Sequence, residues 1–346
     1  MGRNGQGATS LTCAASLEQM KITVLSGGVG GARFIRGLRE HCRRAALDAE
    51  ITAIVNTGDD MWLSGLRITP DLDSIMYTLA GVNDDERGWG RIGESERVSA
   101  ELRAYGVGWP WFTLGDLDIG THLARSSHLR DGLRLSEVTA LITSRWDLGV
   151  TLLPVTDDEV ETYVVVDDEG TEMHFQEWWT RHRASFAARD FVQRGVETSL
   201  PAPGVIAAIE SADVIMIAPS NPVVSIGTVL GIPGVRSALR AASAPVVGIS
   251  PIINGSIVRG MADACLTAIG VQTSAEALAL HYGSRNTDGL LDAWLVDSTD
   301  VAAVPALESN GIRARAVPLW LTDLDTSAAL AGNVLALASS LRSTTR

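Results

Sequence analysis

The sequence predicts an α/β fold of Rossmann-like type, in which helices cover both faces of a mostly parallel β-sheet. Two observations support this prediction. Short apolar runs, most of them rich in valine and isoleucine, recur along the chain with helical patterns between them, which is typical of buried parallel strands. A glycine-rich loop directly follows the first run. The predicted strands cover residues 22–25, 51–55, Val214–Ile217, Val246–Ile249 and Ala293–Val296.

The first predicted strand runs into the motif SGGVGGARF, which holds Gly27, Gly28, Gly30 and Gly31. Glycine is expected there because a turn after a buried strand demands positive φ angles and close backbone approach, and because free N–H groups at a helix N-terminus form an anion site. Arg33 stands at the third glycine position of a dinucleotide fingerprint, and no Lys-Ser or Lys-Thr pair follows. We predict that this loop binds the phosphates of a nucleotide in an unusual way; a plain glycine turn is the alternative.

The loops that follow the first four strands are expected to converge on one crevice, because the carboxyl ends of parallel strands carry the site in an open α/β sheet. One of them, APSNPVVSIG, places Ser220 and Asn221 between two prolines. We predict that these two side chains contact the nucleotide. A rigid structural turn would use the same residues.

The pattern along the chain changes over residues 95–205, which we predict to be an inserted, largely helical cap. Residues 114–129 and 136–146 have helical patterns, and residues 162–166 and 173–175 form a predicted β-hairpin around residues 167–170. Residues 20–94 and 206–346 then form the nucleotide-binding core. Residues 1–19 contain no apolar run of signal-peptide length, and we expect them to be a disordered N-terminal extension.

The composition is that of an ordinary globular chain of 346 residues, with 46% hydrophobic and 20% charged residues. The net charge of −13 argues against nucleic acid as a partner, because phosphate-rich polymers bind clustered Lys and Arg. Cys13, Cys42 and Cys265 lack metal-type spacing, which favours a reducing compartment. We therefore expect a cytoplasmic protein without a membrane-spanning segment.

Four aspartates fall close together after the second strand: Asp59 and Asp60 at its end, and Asp71 and Asp73 after Pro70. Such a cluster beside a phosphate loop suits Mg²⁺, which takes one or two carboxylates together with substrate phosphate oxygens. One of these carboxylates could also act as a general base on a hydroxyl nucleophile, and Asp73 and Asp60 are our candidates. The alternative interpretation makes Asp71 a helix N-cap and Asp59 a turn former.

Two further groups are candidates for binding. The stretch TLGDLDIGTH begins with Thr113 and Asp116 at a predicted helix start, where helix capping would also explain the acidic residue. Trp62 belongs to a group of four tryptophans within fifty residues, on which a flat aromatic ligand could stack. Burial in the hydrophobic core is the alternative for each tryptophan.

Taken in order, the motifs resemble the 2-phospho-L-lactate transferase family of deazaflavin biosynthesis. The resemblance extends over residues 20–325 and rests on SGGVGGARF, NTGDDMWLSGLRITPDLDSIMYTLAG, LGDLDIGTHL, HFQEWW and APSNPVVSIG. It is strongest to the actinobacterial branch, which transfers a phosphoenolpyruvyl group. In the family reaction, the ribityl 5′-hydroxyl of the deazaflavin Fo attacks the activated phosphate of a guanosine diphosphate adduct, GMP leaves, and a precursor of coenzyme F420 is formed.

Carried over by position, the resemblance implies Mg²⁺ near Asp59, Asp60 and Asp73. It places Fo against Asp73 and the turn with Thr113 and Asp116. We expect Trp62, from the group of tryptophans, to stack on Fo. The guanosine diphosphate part then lies on Gly27, Gly28, Gly30 and Gly31 and on Ser220 and Asn221. Leu117 departs from the family pattern, which has a basic residue between the two aspartates of LGDxD. The resemblance also implies a homodimer.

Two other functions are compatible with the opening motif. One is a nucleotide-dependent oxidoreductase, although the acidic ribose partner of a dinucleotide fingerprint is missing and hydride transfer needs no surplus of aspartates. The other is a non-catalytic protein of the same superfamily that binds a sugar nucleotide. Phosphoenolpyruvate, phospholactate and phosphoglycerate differ by a few atoms, so the sequence leaves the transferred three-carbon acid open.

Overall fold

The computed structural model describes residues 19–344, except the side chains of the last two. Residues 1–18, and with them most of the predicted N-terminal extension, lie outside this range. The described strands are β1 (Met20–Ser26), β2 (Ala49–Val55), β3 (Met61–Leu63), β4 (Leu66–Ile68), β5 (Thr151–Pro154), β6 (Glu161–Val165), β7 (Glu172–His174), β8 (Asp190–Arg194), β9 (Val214–Ile217), β10 (Val246–Ile249), β11 (Ile252–Ile253), β12 (Ser256–Ile257), β13 (Ala293–Val296) and β14 (Arg313–Ala316).

The described α-helices lie mostly between the strands of the central sheet, as expected for parallel pairing with crossover connections. They are α1 (Val29–Arg44), α2 (Pro70–Ala80), α3 (Arg97–Ala104), α4 (Asp116–Arg130), α5 (Leu135–Thr143), α6 (Val205–Glu210), α7 (Ile226–Gly231), α8 (Val235–Ala241), α9 (Ala262–Ala268), α10 (Ala275–Tyr282), α11 (Val304–Ser309) and α12 (Leu324–Thr344).

The central sheet has seven strands in the order β14-β13-β10-β9-β1-β2-β5, and every neighbouring pair is parallel. The strand order reverses direction at β1. The chain first adds β2 and β5 on one side of β1 and later adds β9, β10, β13 and β14 on the other side. A crevice forms at the carboxyl end of the sheet at such a switch point, here between β1 and β9. The five predicted strands and the parallel pairing are confirmed.

Helices cover both faces of this sheet, as predicted. Alternate residues of β1 point to opposite sides, so that Leu25 joins one apolar layer while Ile22 and Val24 join the other. The first layer contains residues of α7, α8 and α10, and the second contains residues of α1 and α12. All three β1 side chains are at most 1% exposed, which places the sheet at the centre of the core.

The segment 95–205 is less separate from the sheet than we expected. Its helices α4 and α5 and the hairpin of β6 and β7 lie where the sequence predicted them, and β8 adds a third strand beside β6. However, β5 lies in the central sheet, where it pairs with β2. The prediction that the segment is an inserted cap is therefore wrong for β5. Its sequence, TLLP, has only two consecutive aliphatic residues before a proline, which is too short an apolar run to be recognised as a buried strand.

One helix of the described range satisfies the length and composition of a membrane span: residues Leu324–Arg342 of α12, with a mean hydropathy of 1.2. A core helix can satisfy the same criteria, and α12 packs against α1 with Leu330, Val334 and Leu337 at most 1% exposed. This single helix is weak evidence for a span.

Candidate active site

A cavity of 1190 Å³ opens at the carboxyl ends of β1, β2, β9 and β10. Its floor is the glycine loop and the start of α2, and its far side is formed by residues of α4 and of the segment 95–205. Among the predicted site residues, the ones that line it are Gly28, Gly30, Asp59, Asp73, Thr113, Ser220 and Asn221. The switch point of the sheet thus brings together residues from distant parts of the sequence.

The glycine loop is tightly packed, and this explains its glycines better than the φ angles do. Gly28 has a φ of −63°, and none of the four loop glycines has a positive φ, so that part of the prediction is wrong. A Cβ atom on Gly28 would lie 2.5 Å from Asp71 Oδ1, and one on Gly27 would lie 2.5 Å from Ser225 Oγ. Close approach of neighbouring groups therefore requires glycine here.

Ser220 connects the loop after β9 to the glycine loop, and Asn221 orders the loop after β9. The Gly27 N–H donates a hydrogen bond to Ser220 Oγ over 2.9 Å. The Asn221 side-chain oxygen Oδ1 accepts from the N–H groups of Val223 and Val224 over 2.9 and 3.2 Å. The first bond joins the two loops at the edge of the cavity, and the other two hold the Asn221 side chain within its own loop.

Asp59 and Asp71, which we call the acidic wall, lie on the glycine-loop side of the cavity. Asp71 Oδ2 accepts from the Asn56 side chain over 2.9 Å, and burial raises the pKa of Asp71 to about 6. Burial, and then the charges of Asp71 and Asp60, raise the pKa of Asp59 well above its ordinary value. Asp59 Oδ1 is buried without a hydrogen-bond partner among the described residues.

The interpretation of Asp71 as a helix cap is wrong. Thr69 holds the N-cap position of α2, without a side-chain capping bond, and Asp71 turns toward the glycine loop instead. Neither carboxylate of the acidic wall forms a salt bridge with a described Lys or Arg. Burial raises the pKa of both carboxylates, and Asp71 raises that of Asp59 further. A bound cation would stabilise the ionised form of both groups.

Asp60 does not lie on the cavity wall. It is fully buried behind it, where Oδ2 lies 3.7 Å from the guanidinium of Arg67. Neither oxygen of Asp60 has a hydrogen-bond partner among the described residues. Burial raises the pKa of Asp60 strongly, against the opposing effects of Arg67 and Arg125. The structure therefore gives Asp60 the position of a buried counter-charge to Arg67.

The opposite wall of the cavity is built around Asp73 and α4. Asp73 Oδ1 forms an ion pair with the guanidinium of Arg125, and Oδ2 accepts from Thr69 Oγ1 over 3.2 Å. Arg125 also contacts His122 Nδ1 at 2.9 Å. Both Asp73 and Arg125 are almost completely buried, at 4% and 3% exposed. Asp73 is thus a partnered carboxylate, in contrast to Asp59.

Asp118, one turn before His122 on α4, completes this wall. Tyr77 donates a hydrogen bond to Asp118 Oδ1 over 2.7 Å, and His122 Nε2 lies 3.4 Å from the same oxygen. Burial raises the pKa of Asp118, but the neighbouring His122, Tyr77 and Arg125 outweigh this effect and hold the pKa below its ordinary value. Asp118 and His122 both line the cavity.

We call Asp118, His122 and Arg125 the α4 stripe. Sequence analysis missed all three as site residues. Their spacing of four and then three residues puts them on one face of a helix, and polar residues on a buried helix face are the signal that could have identified them.

Two predicted contacts with the aromatic substrate are not supported by position. Asp116 lies outside the cavity, where its carboxylate accepts from Ser95 Oγ and from the Val98 N–H at the start of α3. Trp62 does not line the cavity either: it is 42% exposed and donates to Glu159 through Nε1. The aromatic residues that do line it are Trp89, Trp111, Phe112, Phe175, Trp179 and Trp320, with Tyr77.

One group of described residues has the mutual spacing that a metal ion requires. Ligand atoms of Asp73, Asp118 and His122 all lie within 4.8 Å of one another. Arg125, however, already places its positive charge against Asp73 and its N–H against His122. No lysine or arginine in the described range pairs with the acidic wall, so its carboxylates fit a divalent metal better.

Comparison with known proteins identifies the family. The model of the family "2-phospho-L-lactate transferase CofD" matches residues 22–319. The phosphoenolpyruvate transferase of Streptomyces griseus subsp. griseus is 54% identical over 325 residues, which cover 93% of this chain and 100% of that protein. The phosphoenolpyruvate transferase of Nocardia farcinica is 52% identical over 323 residues, with 92% and 95% covered.

A solved structure agrees in fold. A Bacillus halodurans protein of the UPF0052 family superimposes with a TM-score of 0.60 and 18% sequence identity, covering 92% of this chain and 99% of that chain. At this identity the likeness supports the Rossmann-like architecture alone. The family match and the curated relatives extend over most of the sequence and include both walls of the cavity. The chain therefore belongs to the 2-phospho-L-lactate transferase CofD family and is a transferase enzyme.

Proposed function

We propose that this enzyme transfers a phosphoenolpyruvyl group from a guanosine diphosphate adduct to the ribityl 5′-hydroxyl of the deazaflavin Fo, in the biosynthesis of coenzyme F420. The names of the curated relatives favour phosphoenolpyruvate over 2-phospholactate as the transferred acid. The observation that carries the proposal is the position of the acidic wall, in which Asp59 Oδ1 has no hydrogen-bond partner among the described residues. The wall lies beside the glycine loop, inside a cavity large enough for two substrates.

The guanosine diphosphate part is proposed to lie on the glycine loop. The N-terminus of the 16-residue helix α1 begins there, and backbone N–H groups at such an end attract phosphate. Ser220 and Asn221 border the same part of the cavity and are proposed to contact the nucleotide. Arg33, in the first turns of α1, also lines the cavity and forms no salt bridge with a described carboxylate.

Mg²⁺ is proposed to bind Asp59 and Asp71. This changes the ligand set that the resemblance implied, because Asp60 lies behind the wall and Asp73 is paired with Arg125. The unpartnered Asp59 oxygen and the raised pKa of both carboxylates are the observations that fit a cation. When bound, Mg²⁺ would neutralise charge that develops on the phosphate oxygens during transfer.

Fo is proposed to lie against the aromatic residues of the far side, chiefly Trp111 and Trp179, where a flat ring can stack. Asp73 then faces the ribityl chain. The 5′-oxygen forms a new bond to the phosphorus that carries the three-carbon acid, the bond from that phosphorus to the GMP oxygen breaks, and Asp73 accepts the hydroxyl proton. Thr69 and Arg125 hold the Asp73 carboxylate in place for this step.

The test is to incubate the pure protein with Fo, Mg²⁺ and the guanylylated form of each three-carbon acid, and to measure the mass of the deazaflavin product. We expect dehydro-F420-0 and GMP from the phosphoenolpyruvate adduct. Absence of any product while GDP binds tightly would contradict the proposal and favour a nucleotide-binding regulator. Sedimentation analysis of the same preparation would test the proposed homodimer, and fractionation of the native cells would test the cytoplasmic location.

A further inference from the structure

The α4 stripe forms a connected set of polar contacts that the proposed reaction does not yet use. Its three residues are at most 6% exposed as a whole, although Asp118 and His122 reach the cavity. Burying an acid, an imidazole and a guanidinium together is costly unless each group has a partner. The positions of their hydrogen atoms follow from the chemistry of arginine.

Arg125 determines which nitrogen of His122 carries the proton. A guanidinium has only donors, so His122 Nδ1, which lies 2.9 Å from Arg125 Nη1, must accept. The Arg125 guanidinium donates to the Arg67 carbonyl over 3.2 Å and pairs with Asp73, which fixes its plane. The remaining proton of the neutral imidazole is then on Nε2, the nitrogen that faces Asp118.

The two carboxylate oxygens of Asp118 have different partners. Oδ1 receives the Tyr77 hydroxyl at 2.7 Å and faces His122 Nε2 at 3.4 Å. Oδ2 accepts no hydrogen bond from any residue that the structure describes, although the Asp118 side chain is only 9% exposed and lines the cavity. Because Asp118 lines the cavity, this carboxylate oxygen is free to accept a hydrogen bond from a bound ligand.

We propose that Asp118 Oδ2 binds a hydroxyl group of the polyhydroxylated chain of the acceptor substrate, and that His122 and Arg125 are positioning residues that act through Asp118. This inference rests on the proposed function, in which the acceptor carries a ribityl chain. Asp118 replaces Asp116 as the acidic substrate contact of the LGDLD motif. A polyol offers several O–H donors. An ionised carboxylate accepts a hydrogen bond from a hydroxyl group more strongly than a neutral side chain does.

The experiment measures KM for Fo, KM for the guanylylated donor and kcat in four variants. Asp118→Asn replaces an acceptor oxygen with a donor group, and we expect KM for Fo to rise about tenfold to a hundredfold while KM for the donor stays unchanged. His122→Asn keeps an acceptor near the Nδ1 position for Arg125 but lacks a donor near Nε2, and we expect a smaller rise in KM for Fo. His122→Gln carries an amide N–H nearer the Nε2 position and should recover part of this loss.

His128→Gln is the matched control, because it makes the same substitution on α4 outside the cavity lining. It should leave all three constants at their wild-type values. Thermal melting of each variant identifies any loss of fold, and fluorescence quenching by Fo measures acceptor binding without turnover.

The outcomes separate this inference from the proposed function. Wild-type turnover together with a wild-type KM for Fo in Asp118→Asn would overturn the inference alone. Equal rises in both KM values for Asp118→Asn and for both His122 variants would indicate a purely structural role and would also overturn it. A wild-type protein that neither binds Fo nor turns it over would overturn both proposals.

Discussion

The acidic wall and the opposite wall of the cavity differ in the groups that neutralise their carboxylates. On the glycine-loop side, Asp59 and Asp71 are buried without an arginine or lysine partner among the described residues, and burial raises both pKa values. On the opposite side, Asp73 is paired with the buried Arg125. The same residue type therefore has a different electrostatic environment on each side, because Asp73 has an arginine partner whereas Asp59 and Asp71 have no lysine or arginine partner among the described residues.

This difference teaches that a cluster of aspartates in a sequence does not by itself identify the metal ligands. The motif holds four aspartates in a short stretch, but the structure divides them among a metal-type wall, an internal ion pair and a buried counter-charge. The division depends on two arginines, Arg67 and Arg125, of which Arg125 lies more than fifty positions away in the sequence. Neutralising one aspartate on each wall tests this difference directly.

The largest expected effect is on activity at the acidic wall. Asp59→Asn should lower kcat about a thousandfold, because it removes a proposed ligand to the ion that stabilises charge in the transition state. Without metal, Asp59→Asn should melt at the same temperature as the metal-free wild-type protein or higher, because the substitution removes a buried charge that has no partner. Initial rates at saturating Mg²⁺ and calorimetric melting provide the two measurements. Wild-type kcat in a folded variant would disprove the metal assignment.

The opposite wall should respond to the same substitution with a loss of stability. Asp73→Asn leaves the Arg125 guanidinium buried without its counter-charge, and the free energy of unfolding should fall by about 3–5 kcal/mol. Urea unfolding monitored by circular dichroism measures this change. Turnover should also be lost, because Asp73 is the proposed proton acceptor.

A double variant provides the control for this prediction. Asp73→Asn combined with Arg125→Gln removes both charges and should recover part of the lost stability without recovering activity. Equal stability of Asp73→Asn and wild type would contradict the prediction that Asp73 compensates the buried charge of Arg125.

The fold was largely predictable from the sequence, because buried parallel strands give continuous apolar runs. All five predicted strands are present, and the glycine loop lies at the switch point of the sheet. The short strand β5 was missed, and β8 was missed because its sequence, DFVQR, alternates too little to be distinguished from a loop.

The candidate site was predictable only in part. Loops at the carboxyl ends of strands can be located from sequence, so Asp59, Ser220 and Asn221 were found. The roles of Asp60 and Asp116 depend on which way a side chain points after the strand or turn ends, and only packing against Arg67 and Ser95 decides this. His122 was not among the predicted site residues, because its contact with Asp73 of α2 depends on the tertiary packing of α4 against α2.

A third substitution tests the close packing between the glycine loop and the acidic wall. A side chain at position 28 would displace Asp71, which lies 2.5 Å from the Cβ position. Gly28→Val should therefore weaken GDP binding about tenfold to a hundredfold, equivalent to about 1–3 kcal/mol, while the protein stays folded. Titration calorimetry with GDP measures the affinity.

Gly120→Ala is the matched control, because a Cβ there meets no atom within 4 Å and alanine favours a helix. It should leave GDP affinity unchanged. Equal affinities of Gly28→Val and wild type would show that the loop does not contact the phosphates.

The smallest expected effect is the pH dependence of stabilisation by Mg²⁺. The pKa of Asp71 is about 6 in the folded, metal-free protein because of burial, compared with an ordinary value of 3.8. The folded state therefore binds more protons than the unfolded state between about pH 4 and pH 6, and the free energy of unfolding without metal should fall as pH rises through this window.

Protons and Mg²⁺ compete for the same carboxylates. The stabilisation by Mg²⁺ should thus be small at pH 5 and about 1–2 kcal/mol larger at pH 7.5, as measured by urea unfolding with and without the ion. Asp71→Asn should abolish most of this pH dependence, whereas a change of charge on the opposite wall, through Asp118→Asn, should leave it in place. Stabilisation by Mg²⁺ that is equal at both pH values would show that the ion binds away from the acidic wall.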